Sequence, residues 1–442
     1  AYNYDELSYG GREILYSPFY YHFLAFFARV VGPLAALKII PELLISLLPI
    51  VIFLLVKLIV KNNYIALFCS LISGFIPVIL EKTLNQDSIY SIMLPLMFFM
   101  FYLFLYVIYN KKRVGLFVGL TFLLPLIHPT AFIFVFALIF YAILLFSESY
   151  PLKGIKSEMI VFSSAVIVLI EFVIFNKAFL GYGLNSIYGN MPSDLLNATS
   201  FGLADSFYYI GVVPLIFGSL GIYLGMFKYR KNSVFLFNGV ILGNILLLLL
   251  NLIDYTIALI FIALSFCILT GVAIKQFFSY LEFTKFYKFK NYFVVLVILL
   301  GVLSIYPSFG VGYKVMDKTI TPEEIEIIQR IGGRIDDNSP IFADVGEGHY
   351  ITFFAKKKNI ADTDYLLAPD VEERVGDISI LYTTWNKAIA LNIIKKYGVR
   401  YVYLSERTKI KYNIEDLKFA QDENCFTEVE RFRGNKFYEV RC

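Results

Sequence analysis

Charge is what this sequence has least of. Asp, Glu, Lys and Arg make up 17% of its 442 residues, where an ordinary soluble domain carries about 25%. So few charges cannot solvate the surface of so long a chain, which excludes a wholly soluble protein. The 58% hydrophobic content and a mean hydropathy of +0.68 agree. An excess of one sign is lacking too. The net charge is only +4, so nucleic acid is not an expected partner. Cysteine is scarce, and Cys69, Cys267, Cys425 and Cys442 fit no metal-site spacing. Aromatic residues, by contrast, abound: 33 Tyr and 44 Phe, which suit lipid-facing helices and interfacial belts. Much Lys, Ile, Tyr and Phe with little Ala is the usage of an AT-rich genome.

Ten hydrophobic runs approach the length of a membrane span, roughly 17–25 residues. They lie at about 36–60, 63–81, 88–109, 114–127, 130–146, 157–175, 207–227, 233–250, 255–273 and 291–306. Only His128 and Pro129 part the fourth from the fifth. Proline disfavours helix at the residue before it, so two short helices meeting at a membrane face are expected, with one kinked helix as the alternative. Alternate loops carry Lys57 and Lys61; Lys111, Lys112 and Arg113; Lys153 and Lys156; Lys228, Arg230 and Lys231; Lys275, Lys285, Lys288 and Lys290. The loops between them, 82–87, 128–129, 176–206 and 251–254, hold only Lys82 and Lys177. The basic set is cytoplasmic by the positive-inside rule.

Residues 1–35, the 82–87 and 176–206 loops and everything after 307 are then expected outside. The segment SPFYYHFLAFFARV (17–30) is short for a span and reads as a helix along the outer interface. Because residue 1 is already outside, a first transmembrane helix is expected to be missing ahead of it. The expected class is a polytopic α-helical membrane protein with a C-terminal extracytoplasmic α/β domain. Its parts are an external first loop with an interfacial helix (1–35), a transmembrane domain (36–306) and the tail (307–442).

The tail is richer in charge and in capping chemistry. Thr321-Pro322-Glu323-Glu324 starts a helix with a cap, a proline at the first position and acid in the first turn. PIFADV (340–345) and VRYVYLS (399–405) read as strands, while GHYITFFAKK, DVEERVGDISILY and NKAIALNIIKKYG read as helices. The alternation suits a small α/β domain. The end reads as a hairpin around Arg433-Gly434-Asn435. A turn centred between 433 and 434 sets Cys425 opposite Cys442 as a possible disulfide outside the cell, and a turn one residue later does not. Asn197-Ala198-Thr199 is an acceptor triplet for N-glycosylation.

Polar residues near the membrane on the outer side form a short list: Asp5, Glu6, Arg12, Lys82, Asn85, Gln86, Asp87, His128 and Glu171. Each has a plain structural reading as well. Asp87 can cap the helix that follows it, His128 can bond a carbonyl, and Asp5–Glu6 can be a solvated turn. Glu171, inside IVLIEFVIF, is harder to dismiss, since an acid in a span is expensive unless it has a site or a partner.

The order of these features resembles the GT-C superfamily, membrane glycosyltransferases that use polyprenyl-phosphate-linked sugars. In the protein O-mannosyltransferase and aminoarabinose-transferase branches the first loop carries a D-E-x-x-[HY]-like motif with a catalytic Asp, then P-P-L. Asp5, Glu6, Ser8 and Tyr9 stand at the first motif, and Ser17-Pro18-Phe19 at the second with one proline replaced. Asp87 matches the second-loop acid. Oligosaccharyltransferase subunits place W-W-D-Y-G after a strand; Phe342-Ala343-Asp344-Val345-Gly346, followed by His349, stands here, and the only Trp is Trp385. That departure puts sequon-directed protein glycosylation in doubt.

The resemblance implies an archaeal-type enzyme of the cell membrane, multi-pass, that moves a sugar from a polyprenyl-phosphate donor to a glycan, lipid or protein acceptor. Asp5 would take the acceptor proton, with Glu6 or Asp87 orienting it or holding a divalent cation. Asn85 and Asp87 would hold Mg2+ or Mn2+ if a metal is used, with Asp5 as a further ligand if the loops converge. Arg12, Lys82 or His128 would meet the phosphate. Asp344, Gly346 and His349 would lie on the acceptor side. The alternatives are a catalytically inactive GT-C-like scaffold of an envelope complex, or a lipid or solute transporter. No internal repeat of the transporter kind is evident.

Overall fold

The computed structural model describes residues 2–15, 17, 19–192, 195, 202–228, 231–317, 320–335, 339–432 and 434–442. Asn197 lies outside the described residues. Two compact units emerge. One comprises residues 17–188 and 193–317 and is helical; the other joins residues 1–16, 189–192 and 318–442 around a sheet.

All ten hydrophobic runs are helical in the first unit. Among the described residues, seven helices are long and apolar enough to cross a membrane: Pro33–Val60, Tyr90–Asn110, Pro129–Ser147, Ile155–Ile174, Asn232–Leu249, Tyr255–Leu281 and Lys285–Met316. An eighth crossing is made if Asn63–Gly74 and Pro77–Thr83, bent by 49°, form one span. The other two runs, Val114–Ile127 and Val212–Lys228, are shorter apolar helices. At about 1.5 Å per residue they fall short of a hydrocarbon core about 30 Å thick. The chain is thus a multi-pass membrane protein by the length and composition of its helices.

Local chemistry sets the breaks. His128 is extended, and its ring nitrogen accepts the Thr130 backbone N–H at the start of the next helix. Two separate helices therefore meet there instead of one kinked rod. Asn62 caps the helix that begins at Asn63 by accepting the N–H groups of Tyr64 and Ile65. Lys275 donates to the Val60 carbonyl at 2.7 Å, joining two of the basic loops assigned to one face. Packing is close where residues are small: a Cβ on Gly221 would lie 2.2 Å from the Leu269 carbonyl oxygen, and one on Gly239 2.6 Å from that of Ala137. Such contacts let helices approach where burial from water cannot drive association. Helix Tyr20–Val31 buries Tyr20 and Leu24 and exposes Tyr21, Phe26 and Val30.

The sheet unit starts at 318, later than the expected 307, because helix Lys290–Asp317 runs unbroken through Pro307. Among the described residues its main sheet has four strands, β3 (Ile341–Phe342), β4 (Tyr401–Leu404), β5 (Phe426–Phe432) and β6 (Asn435–Val440), ordered β3-β4-β6-β5, with β3 and β4 parallel and the other pairs antiparallel. Tyr403 of β4 and Phe437 of β6 are directly paired, and their rings stack at 4.5 Å. Helix Pro322–Arg334 begins with a reciprocal cap: Thr321 Oγ1 accepts the Glu324 N–H and the Glu324 carboxylate accepts the Thr321 N–H. Ile327, Ile328 and Ile331 of this helix form the core with Ile341, Ile351 and Phe437. Helices Val371–Thr383, Lys387–Lys396 and Glu406–Tyr412 complete the unit; the last of these the sequence reading did not foresee.

Residues 2–15 are not a free loop. They make a hairpin of β1 (Tyr2–Asp5) and β2 (Arg12–Leu15), pairing Asp5 with Arg12 at its closed end, and they belong with the sheet unit, apart from the 20–31 helix.

Strands β5 and β6 turn between Phe432 and Asn435, and a bulge near Glu428–Glu430 shifts the register by one. Cys425 then accepts the Arg441 N–H and is disulfide-bonded to Cys442, with Cα atoms 5.1 Å apart. The closed loop spans 17 residues, for which chain entropy gives about 3 kcal/mol. Replacement of Cys442 by Ser is expected to lower stability by about 2–3 kcal/mol, read by chemical denaturation, and dithiothreitol to do the same to the wild type alone.

Candidate functional site

In the helical unit three loops assigned to one face come together. Lys82 Nζ lies 3.7 Å from Asp254 and 5.7 Å from the centroid of the Tyr90 ring. That ring makes an edge contact with His128 at 5.4 Å. Asp254 also caps its own helix by accepting the Thr256 N–H. Asp87 accepts the Tyr20 hydroxyl at 2.7 Å. Tyr20 is held in turn: its N–H goes to Ser17 Oγ, which donates to the Leu126 carbonyl at 3.1 Å. Ser17 thus helps set the Tyr20 phenol on the acid of another loop. The Asn85 backbone N–H goes to the carboxylate of Glu42, and Asn85 has a left-handed φ of 53°.

Burial raises the Asp87 carboxyl above its ordinary range, opposed by the Tyr20 hydrogen bond. Burial, and then the Lys82 charge, pull His128 down to about 4. His128 is therefore neutral at pH 7, and its ring nitrogen caps the next helix. Lys82 keeps the role of a cation for phosphate open, since its side chain is 32% exposed. Glu171 is fully buried beside the Phe132 backbone, close in sequence to the same break.

In the sheet unit the acidic opening is built into a turn. Asp5 Oδ1 accepts the N–H groups of Leu7 and Ser8, at 2.9 and 3.3 Å; Glu6 is exposed. Arg12 was expected to meet phosphate and does not face outward. Its side chain is 2% exposed and its guanidinium binds Asp364 at 3.0 Å, the Leu366 carbonyl at 3.2 Å and the neighbourhood of Asp362. Buried guanidinium needs such a carboxylate and carbonyl shell, so Arg12 is a clamp for the hairpin. Tyr9 adopts a left-handed φ of 54°, a strain of about 1–2 kcal/mol for a residue with a Cβ, yet it is 2% exposed.

The FADVG stretch ends β3. Asp344 accepts from Lys411 Nζ at 2.7 Å, from the Tyr412 hydroxyl at 2.9 Å and from the Gly346 N–H at 3.1 Å. Its carboxylate is thereby engaged inside the domain. Next to it Glu347 is buried and accepts the hydroxyls of Ser405 and Thr408. His349 is half-exposed, with Nε2 3.0 Å from Thr363 Oγ1 and 3.7 Å from Asp362.

The expected site residues thus fall into two groups. Lys82, Asn85, Asp87 and His128 lie in the helical unit, and Asp5, Glu6, Arg12, Asp344, Gly346 and His349 in the sheet unit. Tyr20, Glu42 and Asp254 were missed in the first group, though Asp254 stands directly before a helix and reads as a cap. Glu347, Asn359, Asp362 and Lys411 were missed in the second, where only the fold brings them together. Among the described residues no three His, Cys, Asp or Glu side chains gather as a metal site. Asp87 offers one carboxylate, and one of its oxygens already binds Tyr20. That donor set falls short of the six oxygens a Mg2+-like ion prefers, so no step below is routed through a metal.

No protein-family model matches the chain, and no curated protein matches it in sequence. Solved structures do. The Archaeoglobus fulgidus oligosaccharyltransferase in its apo form aligns with a TM-score of 0.62 at 14% identity, over 95% of this chain and 66% of that one. AglB from the same organism, in complex with an inhibitory peptide and a dolichol-phosphate, aligns at 0.58 and 14%, over 90% and 62%. An A. fulgidus oligosaccharyltransferase in complex with Zn and sulfate aligns at 0.58 and 14%, over 96% and 64%. The fold is similar to that of these archaeal oligosaccharyltransferases, and the chain spans a little under two thirds of the length of the AglB structure it matches.

Glu347 offers a measurable signature of the sheet unit. Burial lifts its carboxyl from 4.5 to about 7, with Asp344 adding to the rise and Ser405 and Thr408 opposing it. The folded chain therefore holds a proton the unfolded chain has lost, and this contribution weakens as pH rises from 4.5 to 7, then levels off. Glu347→Gln is expected to flatten that slope and to gain up to about 3 kcal/mol on the wild type above pH 7, read as the difference between their pH-stability curves.

Proposed function

We propose that this protein is a GT-C glycosyltransferase of the cell membrane. It would move a sugar from a polyprenyl-phosphate-linked donor to a glycan, lipid or protein acceptor on the extracytoplasmic face. The observation that carries the reading is the fold, shared over nine-tenths or more of the chain with oligosaccharyltransferases, one of them holding a dolichol-phosphate. The polar junction of Tyr20, Lys82, Asp87 and Asp254 gives that fold an acid and a cation at loops assigned to one membrane face.

The chemistry follows from the donor. In a single inverting displacement the acceptor oxygen attacks the anomeric carbon, the bond from that carbon to the phosphate oxygen breaks, and polyprenyl phosphate leaves. The acceptor's proton passes to a carboxylate, for which Asp5 is the candidate: Asp5 Oδ1 faces the turn, and Glu6 beside it is exposed. Lys82 would meet the departing phosphate. Asp87, set by Tyr20, would order the donor; Mg2+ or Mn2+ enters as an assay variable. Asp344 and His349 would frame the acceptor. Since Asp344 is paired with Lys411 and the tryptophans of W-W-D-Y-G are absent, an acceptor other than a sequon peptide is favoured.

Full-length protein in liposomes, with dolichyl-phosphate-linked tritiated mannose or glucose and membrane acceptors, tests this. Asp5→Asn is expected to lower transfer by 100-fold or more, the usual span for loss of a general base, and Asp87→Asn to raise the donor KM. Unchanged transfer by Asp5→Asn would remove Asp5 from the mechanism.

A further inference from the structure

The closed end of the β1–β2 hairpin is gripped by one segment of the sheet unit, residues 359–366. The Asn359 N–H donates to the Leu7 carbonyl at 3.0 Å, and Asn359 Oδ1 accepts the Tyr9 N–H at 2.7 Å. Asn359 Nδ2 reaches Asp362 at 3.0 Å. Asp362, with no exposed surface, accepts the Ser8 hydroxyl at 2.6 Å, and its carbonyl accepts the Tyr9 hydroxyl at 2.8 Å. Arg12 closes the far side on Asp364 and Leu366. Every residue from Leu7 to Tyr9 is therefore bonded to this segment, and Asp5 is bonded to Leu7 and Ser8.

Tyr9 makes the grip informative. A left-handed tyrosine persists only where its surroundings over-determine it, and such strain concentrates at functional sites. A merely solvated acidic turn needs neither the strain nor two buried polar side chains brought from 350 residues away.

We infer that Asn359 and Asp362 are positioning residues for the acidic pair: they fix the turn whose Leu7 and Ser8 N–H groups hold the Asp5 carboxylate. This rests on the catalytic role proposed for Asp5. A residue acting through Asp5 loses its effect once Asp5 cannot act, whereas a loss of general stability multiplies with it.

The test is a double-mutant cycle in the full chain, using the labelled dolichyl-phosphate sugar above. Asn359→Ala is expected to lower kcat at least tenfold with the donor KM unchanged, and to add nothing in an Asp5→Asn background. Ser8→Ala, which removes a single hydroxyl and serves if Asn359→Ala misfolds, is expected to lower kcat severalfold with the same lack of additivity. Hydrogen exchange at the Leu7 and Ser8 amides is expected to quicken at least tenfold in both variants, which needs no donor. Wild-type kcat, multiplying losses or unchanged exchange in the folded variants would overturn the inference. An active Asp5→Asn would instead overturn the role of Asp5 itself.

Discussion

One buried carboxylate organises the sheet unit's hold on the start of the chain. Asp362 gathers the Ser8 hydroxyl, the Asn359 amide and the Asp364 N–H, with Arg12 and His349 within 4 Å. A charge with no exposed surface is costly unless nearly all of its lone pairs are met. Here they are met by groups from both ends of the sequence, so the charge is tolerable only when the hairpin is in place. Ordering the hairpin and satisfying the acid are one event.

The helical unit obeys a different constraint. Lipid cannot hydrogen-bond backbone, so each break in a helix must be capped from within. His128, Asn62 and Asp254 do this with their own side chains. Two of these caps are also members of the polar junction. Asp254 serves as a cap and as the partner of Lys82, and His128 as a cap and as the edge on Tyr90. The same groups that cap helix starts therefore meet Lys82 and Tyr90 at that end of the bundle.

Much of this was legible in the sequence, and for physical reasons. Hydropathy located all ten helical runs, since lipid leaves few options for an apolar segment, and capping chemistry located the helix at Pro322. The break at His128–Pro129 followed from proline sterics. What was not legible was tertiary. Residues 2–15 show no strong strand pattern, and only their pairing with 359–366 makes a hairpin of them. Arg12 looked like a free cation because its partners, Asp364 and Leu366, stand 352 and 354 residues away. The boundary expected at 307 came too early because the helix runs on past the end of its most apolar stretch, to Asp317. The burial of His128 was not legible either, since burial is invisible to a linear reading.

The sheet unit is discontinuous in the chain, joining residues 1–16 to 318–442. Ribosomes deliver those pieces in order, so the hairpin is made before its partners, with the helices of the first unit between them. Until residues 359–366 arrive, Tyr9 has nothing to pay its strain and Asp362 does not exist. Domains usually fold as they are synthesised; this one cannot. Its assembly is therefore a single closure across a very long loop, and the acidic turn acquires its shape only once residues 359–366 have been made. A chain that stops before residue 359 would carry Asp5 and Glu6 without the contacts that shape their turn.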